Sequence, residues 1–286
     1  MLTPDGKPVF VEFDDGSGLL THRYKNEWRI WSDPLSNLSE APARTIEFAT
    51  ESFNNKDIKE LWCDDISDKI YPKLKNSFEK DFILSPLEPA VHPATEENFL
   101  SYYHLFWPVL NIEKYDPSLP GGHFKEMRNA RSKFYREHKV NILNASELNP
   151  GELLRIVDDW LREVTKKEKE DVYDLKYRVL IKNNFRGFNT ARAMIVDGKP
   201  VGFNAGYEVP NNPERFAGII GLHDYSIKDL GDILWLEDLE WIKNAGYKEM
   251  DMQGMEYEWE IKTKTKFGAV IERVTDTFSV KKKSHT

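Results

Sequence analysis

"IKELWCDDISDKIYPKLKNSF" (58–78) and "YKEMDMQGMEYEWEIKTKTKF" (247–267) decide the fold. Their identity is negligible, yet each reads as a short strand, a polar turn and a helix at the same spacing. Outward from the first, "PVFVEF" (8–13), "LLTHRY" (19–24) and "EWRIWS" (27–32) are strand-like runs. They are separated by "DDGSG" and "KN", both turn sequences. A helix over 39–53 precedes the quoted strand, and a strand over 80–85 follows the quoted helix. Outward from the second, "TARAMIV" (190–196), "VGFNAGYEV" (201–209) and "RFAGIIGL" (215–222) are strands, the first two split by "DGKP". A helix over 231–246 precedes and a strand over 269–280 follows. Both halves therefore run β-β-β-α-β-α-β, a repeat of architecture rather than of sequence.

The second half carries more. "KVNILNA" (139–145) reads as a strand. "NPGELLRIVDDWLREV" (149–164) reads as a helix: Asn149 is placed to cap it, Pro150 suits its first position, and Leu153, Leu154, Val157 and Leu161 recur at helical spacing. "DVYDLKYRVLIKNN" (171–184) is a second helix. The order β-α-α-β-β-β-α-β-α-β is that of the GNAT (N-acyltransferase) fold. The fold class expected is thus α/β (α+β), with tandem GNAT-like folds and mixed sheets flanked by helices. Residues 1–106 form an N-terminal degenerate GNAT-like domain, 107–139 a connecting segment with a basic helix, and 140–286 a C-terminal GNAT-like domain.

The bulk numbers exclude other classes. Of 286 residues, 40% are hydrophobic and 13% aromatic, enough for a packed core and too many for wholesale disorder. A mean hydropathy of −0.61 and the lack of a long apolar run argue against a membrane span. No secretory pattern opens the chain, and the single cysteine, Cys63, forbids an internal disulfide, so a cytoplasmic location is expected. The seven histidines lack zinc-ligand spacing, so no metal is expected. No Walker loop, G-x-G-x-x-G or G-x-S-x-G occurs.

Three stretches carry a resemblance. "KEMRNARSKFYREH" (125–138), "GYKEMDMQGM" (246–255) and "IKTKTKFGA" (261–269), together with "VDGKPVGFNAGYE" (196–208), resemble the C-terminal domain family of phosphatidylglycerol lysyltransferases, related to the Fem-type aminoacyltransferases. The likeness covers roughly residues 107–280. It implies transfer of an aminoacyl group from aminoacyl-tRNA to an amine or hydroxyl acceptor. Because lipid-modifying members carry a large membrane domain that this sequence lacks, a soluble small molecule, peptide or protein is at least as good an acceptor as a lipid. The resemblance places Arg128, Asn129 and Arg131 on the family's basic helix. It also implies that a lysine near the end of the last helix, here Lys264 or Lys266, neutralises the tetrahedral oxyanion or the leaving ribose.

The residues themselves bear on this. The chain has a formal net charge of −8, yet six Lys or Arg residues fall within 125–139, following "LPGG" (119–122). On a helix, Lys125, Arg128, Arg136 and Lys139 share one side, with Met127, Ala130 and Phe134 opposite. Such a stripe can hold a run of phosphates, as on a tRNA acceptor stem. It can equally be the solvated face of an amphipathic helix, with Arg131, nearer the apolar edge, in the cleft or in a buried ion pair.

GNAT folds open a V between the fourth and fifth strands, where the acyl donor lies. Acetyl-CoA users follow the fourth strand with a glycine-rich turn whose amides cradle a pyrophosphate. Here "HDYSIKDLGDILW" (223–235) has Gly231 alone, and Asp229 and Asp232 would repel a pyrophosphate. Those carboxylates suit a cation or cap the helix, and capping is favoured for Asp232. His223 and Asp224 are candidates for general base. Strand alternation would put Asp251 and Gln253 on one face, lining the cleft or simply closing a strand end. Trp235, Trp241 and Trp259 suit the core.

The expectation is an acyltransferase that needs no cofactor, with aminoacyl-tRNA as donor. Lys264, Lys266, His223 and Asp224 would be catalytic, and Lys125, Arg128, Asn129, Arg131, Arg136, Asp251 and Gln253 would bind substrate. The alternatives are an acyl-CoA-dependent N-acetyltransferase using acetyl-CoA, and a non-catalytic GNAT-like module that binds RNA or protein.

Overall fold

A computed structural model describes residues 7–35, 39–86, 90–91, 98–99, 104–168, 174–210, 212–255 and 258–283. The N-terminal half opens with β1 (Lys7–Glu12), β2 (Gly18–Tyr24) and β3 (Glu27–Trp31). Asp15 closes the first hairpin by accepting from the backbone and hydroxyl of Ser17. Helix α1 (Ala41–Asn54), strand β4 (Glu60–Ser67), helix α2 (Tyr71–Asp81) and strand β5 (Phe82–Pro86) complete the expected order. Both helices carry a proline in the first turn, where no backbone donor is needed. The two-residue strands β6 (Ala90–Val91) and β7 (Asn98–Phe99) pair with each other.

Strand β8 (His104–Asn111) and helix α3 (Lys125–Glu137) lead to the second half. There follow β9 (Val140–Asn144), a 3₁₀ turn, α4 (Pro150–Glu168) and α5 (Leu175–Lys182). Asn149 Oδ1 accepts from the Gly151 amide at 2.9 Å at the head of α4, the expected cap. Strands β10 (Thr190–Val196), β11 (Lys199–Val209) and β12 (Asn212–His223), helix α6 (Leu230–Asn244), β13 (Glu249–Asp251), α7 (Glu258–Thr265) and β14 (Val270–Lys282) finish the chain. The β10–β11 turn, Asp197-Gly198, has φ +51° and +84°, as a type I′ hairpin requires.

All but β6 and β7 join one mixed sheet in the order β1-β2-β3-β4-β14-β8-β13-β12-β11-β10-β9, with β5 also on β14. The two halves exchange strands at its centre. β8, from the first half, lies between β13 and β14. β14 pairs with β8 through its first seven residues, then with β4 and β5 through its last. β8 runs into the connecting segment expected from residue 107, and Pro108 interrupts its apolar run. In a central strand a proline leaves its partner without a donor; here β14 bulges opposite, its register shifting between Ile271 and Arg273. A hydrogen-bond chain crosses the junction: Trp107 Nε1 donates to Thr275 Oγ1 at 2.9 Å, which donates to Asp65 Oδ1 at 3.3 Å.

One apolar core, including Leu19, Ile30, Leu61, Phe78 and Phe278, lies in the N-terminal unit. Three others flank the C-terminal half of the sheet: around Phe216, Leu239 and Met250, around Ile156 and Phe203, and around Met194 and Ile233. Cys63 is fully buried, and desolvation pushes its thiol up.

The parallel pairs behave differently in the two units. β12 and β13 are in register only from Arg215–Glu249 to Ala217–Asp251. Beyond that, Gln253 takes a left-handed conformation (φ +68°), Met252 N bonds to Pro108 O, and the chain follows β8 away from β12. A V opens. In the N-terminal unit β3 and β4 stay in register to Trp31–Asp64. Ser32 N then bonds to Asp64 O, and Asp33 Oδ1 accepts from Ser67 N, both at 2.8 Å, so the equivalent gap is bridged.

Candidate active site

The V between β12 and β13 holds a cavity of about 290 Å³. β11 contributes Asn204, β12 contributes Gly221 and His223, and the first turns of α6 contribute Gly231, Asp232 and Trp235. Lys264, in the last turn of α7, and Phe267 close the opposite side. Below the V, Arg215 binds Glu249 and Glu272, each at 2.7 Å, and so ties β12 to β13 and β14. These bonds hold the Glu272 carboxyl below its usual range and raise the guanidinium.

Of the four candidate catalytic residues, His223 and Lys264 share the cavity wall. The His223 ring lies against Gly231: a Cβ there would stand 2.8 Å from both Cε1 and Nε2. Gly231 therefore makes room for an imidazole. Lys264 Nζ donates to Met252 O at 2.6 Å, where the chain leaves β13. Lys266 Nζ pairs with Asp232 Oδ1 at 2.8 Å across the rim and lies 5.0 Å from the Phe267 ring. Asp224 turns aside: its Oδ1 accepts from the amide and hydroxyl of Ser226.

The expected capping by Asp232 is not what the structure shows, since that carboxylate reaches Lys266 instead. The N-cap is Asp229, left-handed at φ +61°, and its side chain makes no cap bond. The N-terminus of α6 thus presents two carboxylates where a phosphate cradle would present amides. The expected alternation of Asp251 and Gln253 ends with β13: Asp251 Oδ1 accepts from Gln253 N at 2.8 Å in a turn.

Helix α3 abuts this site, Phe124 at its head stacking on Phe267 with centroids 6.3 Å apart. Phe134 is buried, and Met127 and Ala130 are half-buried, on the expected face. Arg128 leaves the expected stripe, and Arg131, expected nearer the apolar edge, is in neither the cleft nor an ion pair among the described residues. Arg128 donates to the carbonyls of Leu119 and of Gly121, the latter at 2.8 Å, and Arg131 donates to Pro117 O at 3.0 Å. Lys243, from α6, takes the carbonyls of Ile112, Glu113 and Tyr115. Three cations thus hold six carbonyls of the segment between β8 and α3, and the left-handed Leu119 and Gly121 aim theirs at Arg128. Lys125, Arg136 and Lys139 remain exposed, with no ion pair among the described residues. Asn129 faces a neighbouring groove of about 480 Å³ between α3 and residues 227–229.

Sequence reasoning missed a polar cluster beneath the cleft. Asp238 on α6 is buried beside Arg192 of β10, Nη1 to Oδ1 3.4 Å, and burial pushes its carboxyl up to about 6. Arg192 also donates to Glu237 O at 3.0 Å and lies over Trp241. The signal was an acid inside the apolar stripe of α6 and an asparagine inside the apolar run of β11. Trp241 packs edge-on against Phe216, as expected of a core residue, and Trp235 is half-buried at the cavity; the side chain of Trp259 lies outside the described residues.

A splayed parallel pair in the C-terminal unit, a bridged one in the N-terminal unit and a shared sheet define a tandem GNAT fold. Solved structures share it. The C-terminal domain of a putative lysylphosphatidylglycerol synthetase from Agrobacterium fabrum is 14% identical, with 96% of this chain and 84% of that one covered, at a TM-score of 0.60. FemX is 9% identical, covering 96% and 87%, also at 0.60. A tandem GNAT protein from the clavulanic acid biosynthesis pathway is 13% identical, covering 100% and 86%, at 0.56. No family model and no curated protein matches the sequence. Among the described residues, no helix is long and apolar enough to cross a membrane, and no three His, Cys, Asp or Glu side chains gather as a metal site would need.

Proposed function

We propose that the chain is an acyltransferase that moves an aminoacyl group from aminoacyl-tRNA to a soluble amine or hydroxyl acceptor. The observation that carries this is the acidic N-terminus of α6, Asp229 and Asp232, above an open V that holds His223 and Lys264. Asp229, and the lack of a glycine-rich turn ahead of α6, oppose the pyrophosphate of an acyl-CoA, Asp232 being balanced by Lys266. The likeness in fold to FemX and to a lysylphosphatidylglycerol synthetase domain supports the same reading. The exposed Lys125, Arg136 and Lys139 form a cationic face on a helix that packs against the cleft, suited to a phosphate backbone.

In the reaction, the acceptor nitrogen or oxygen attacks the ester carbonyl carbon of the aminoacyl group. The bond from that carbon to the ribose oxygen breaks. The acceptor gives up a proton and the ribose oxygen gains one. His223 takes the acceptor's proton, and the Lys264 ammonium stabilises the charge that grows on the carbonyl oxygen. Binding of charged tRNA and of acetyl-CoA, measured separately, tests the proposal. Salt-sensitive binding of charged tRNA, weakened in a Lys125→Ala, Arg136→Ala, Lys139→Ala variant, is expected. Tight acetyl-CoA binding without tRNA binding would establish the acyl-CoA-dependent alternative instead.

A further inference from the structure

Residues 200–206 of β11 are all buried, and Asn204, 5% exposed, is the one polar side chain among them. Its Nδ2 donates to Leu234 O of α6 at 3.2 Å. One turn further along α6, the Asp238 carboxylate is favoured in its charged form by the Asn204 amide. Both neighbours on the α6 side are acceptors, so the nitrogen faces the helix and Oδ1 faces the cleft. Asp238 is in turn held by Arg192, which the Glu237 carbonyl and the Trp241 ring fix.

The other half of the observation is Gly221, directly across on β12. A Cβ there would lie 3.0 Å from Asn204 Oδ1. Any side chain at 221 would cover that oxygen, and glycine leaves it bare on the cavity wall. No donor among the described residues reaches it. An acceptor held in a fixed direction and open only to the cleft is placed to receive a donor from what occupies the cleft.

We propose that Asn204 reads the transferred group: its Oδ1 accepts a hydrogen bond from an ammonium N–H on the acyl chain, and Asp238 and Arg192 are positioning residues that fix the amide. This deepens the acyl-transfer reading and rests on it. It selects aminoacyl over plain acyl groups through a neutral acceptor at that point of the cleft wall.

The test uses two probes that differ only in the ammonium, 3′-(alanylamino)-3′-deoxyadenosine and its propionyl counterpart, titrated calorimetrically into the full chain. The intact protein is expected to bind the alanyl probe about tenfold more tightly or better, the worth of one charge-assisted hydrogen bond. In Asn204→Leu the ratio of the two affinities falls to about one, while Asn204→Gln, which keeps both the donor and the acceptor of the amide, retains part of it. Asp238→Asn lets the amide turn over and gives an intermediate ratio. A purely structural role would weaken both probes alike and leave the ratio unchanged. An unchanged ratio in Asn204→Leu overturns the assignment and leaves the acyl-transfer reading standing. If both Asn204 variants bind neither probe, the residue serves the fold and the assignment falls. Failure of the intact protein to bind either probe is a failure of the acyl-transfer reading itself, and takes this inference with it.

Discussion

Lys264 Nζ donates to the Met252 carbonyl at 2.6 Å, tying the last turn of α7 to the point where the chain leaves β13. The bond spans the floor of the V, so one side chain both holds the cleft's shape and puts a positive charge into it. Lys264→Met is expected to lower transfer about 10²–10³-fold, as loss of an oxyanion partner does. Stability should fall by only about 1–3 kcal/mol, the worth of one charge-assisted hydrogen bond. Single-turnover rates beside thermal melts separate the two effects. A rate loss no larger than the melting shift explains would leave Lys264 with its structural role alone.

Arg128 and Arg131 answer to a different measurement from the rest of α3. Because they hold carbonyls of the 117–121 loop, Arg128→Ala and Arg131→Ala should each cost about 1–3 kcal/mol in chemical denaturation. Lys125→Ala, Arg136→Ala and Lys139→Ala together should leave the melting temperature within a degree or two, since surface charges contribute little to stability. That triple variant should instead flatten the salt dependence of tRNA binding, the log–log slope dropping by roughly 2.

Gly231→Ala would place a Cβ at 2.8 Å from the His223 ring. The imidazole, the far end of that side chain, must shift from its place on the cavity wall. If His223 is the base, turnover should collapse while tRNA binding persists. Full activity in this variant would remove His223 from the mechanism.

Asp238 predicts a pH effect of definite sign. Burial raises its carboxyl from an ordinary value of 3.8 to about 6 in the folded chain, with Arg192 and Asn204 acting in opposition. The folded state therefore binds the proton more tightly than the unfolded state. Its contribution is fully present below about pH 4 and is lost as pH rises to about 6. Asp238→Asn should remove that decline, so the stability difference between variant and parent should grow from pH 4 to 6 in denaturant titrations. A parallel pair of curves would show that Asp238 ionises normally.

The strands and helices were legible wherever periodicity and turn chemistry agreed. β10 spans the residues read as "TARAMIV", and Asn149 and Pro150 begin α4 as their side chains dictate. β8 was hidden because Pro108 argues against a central strand, and only the bulge in β14 makes it acceptable. Pairing across the two halves leaves no local mark, so the double use of β14 could not be read. At the site, His223 and Lys264 stood out by chemistry and position. Arg128 did not, because a helical wheel cannot show a side chain curling back to a loop. Asn204 and Asp238 announce themselves only as polar residues inside apolar patterns, and their partners are set by packing.

The strand exchange constrains how the chain is made. Within the described sheet, β4 and β5 of the first unit are bridged by the second half of β14, the last strand of the chain. On the ribosome, residues 7–86 emerge with that central position vacant. Two strand edges then wait, unpaired, for roughly two hundred residues of synthesis, at about 5–20 residues per second. The N-terminal unit cannot close its sheet co-translationally, and it acquires its middle strand only as the C-terminal unit completes its own. The two halves thus mature as one cooperative body, and a break near residue 270 should leave both unfinished.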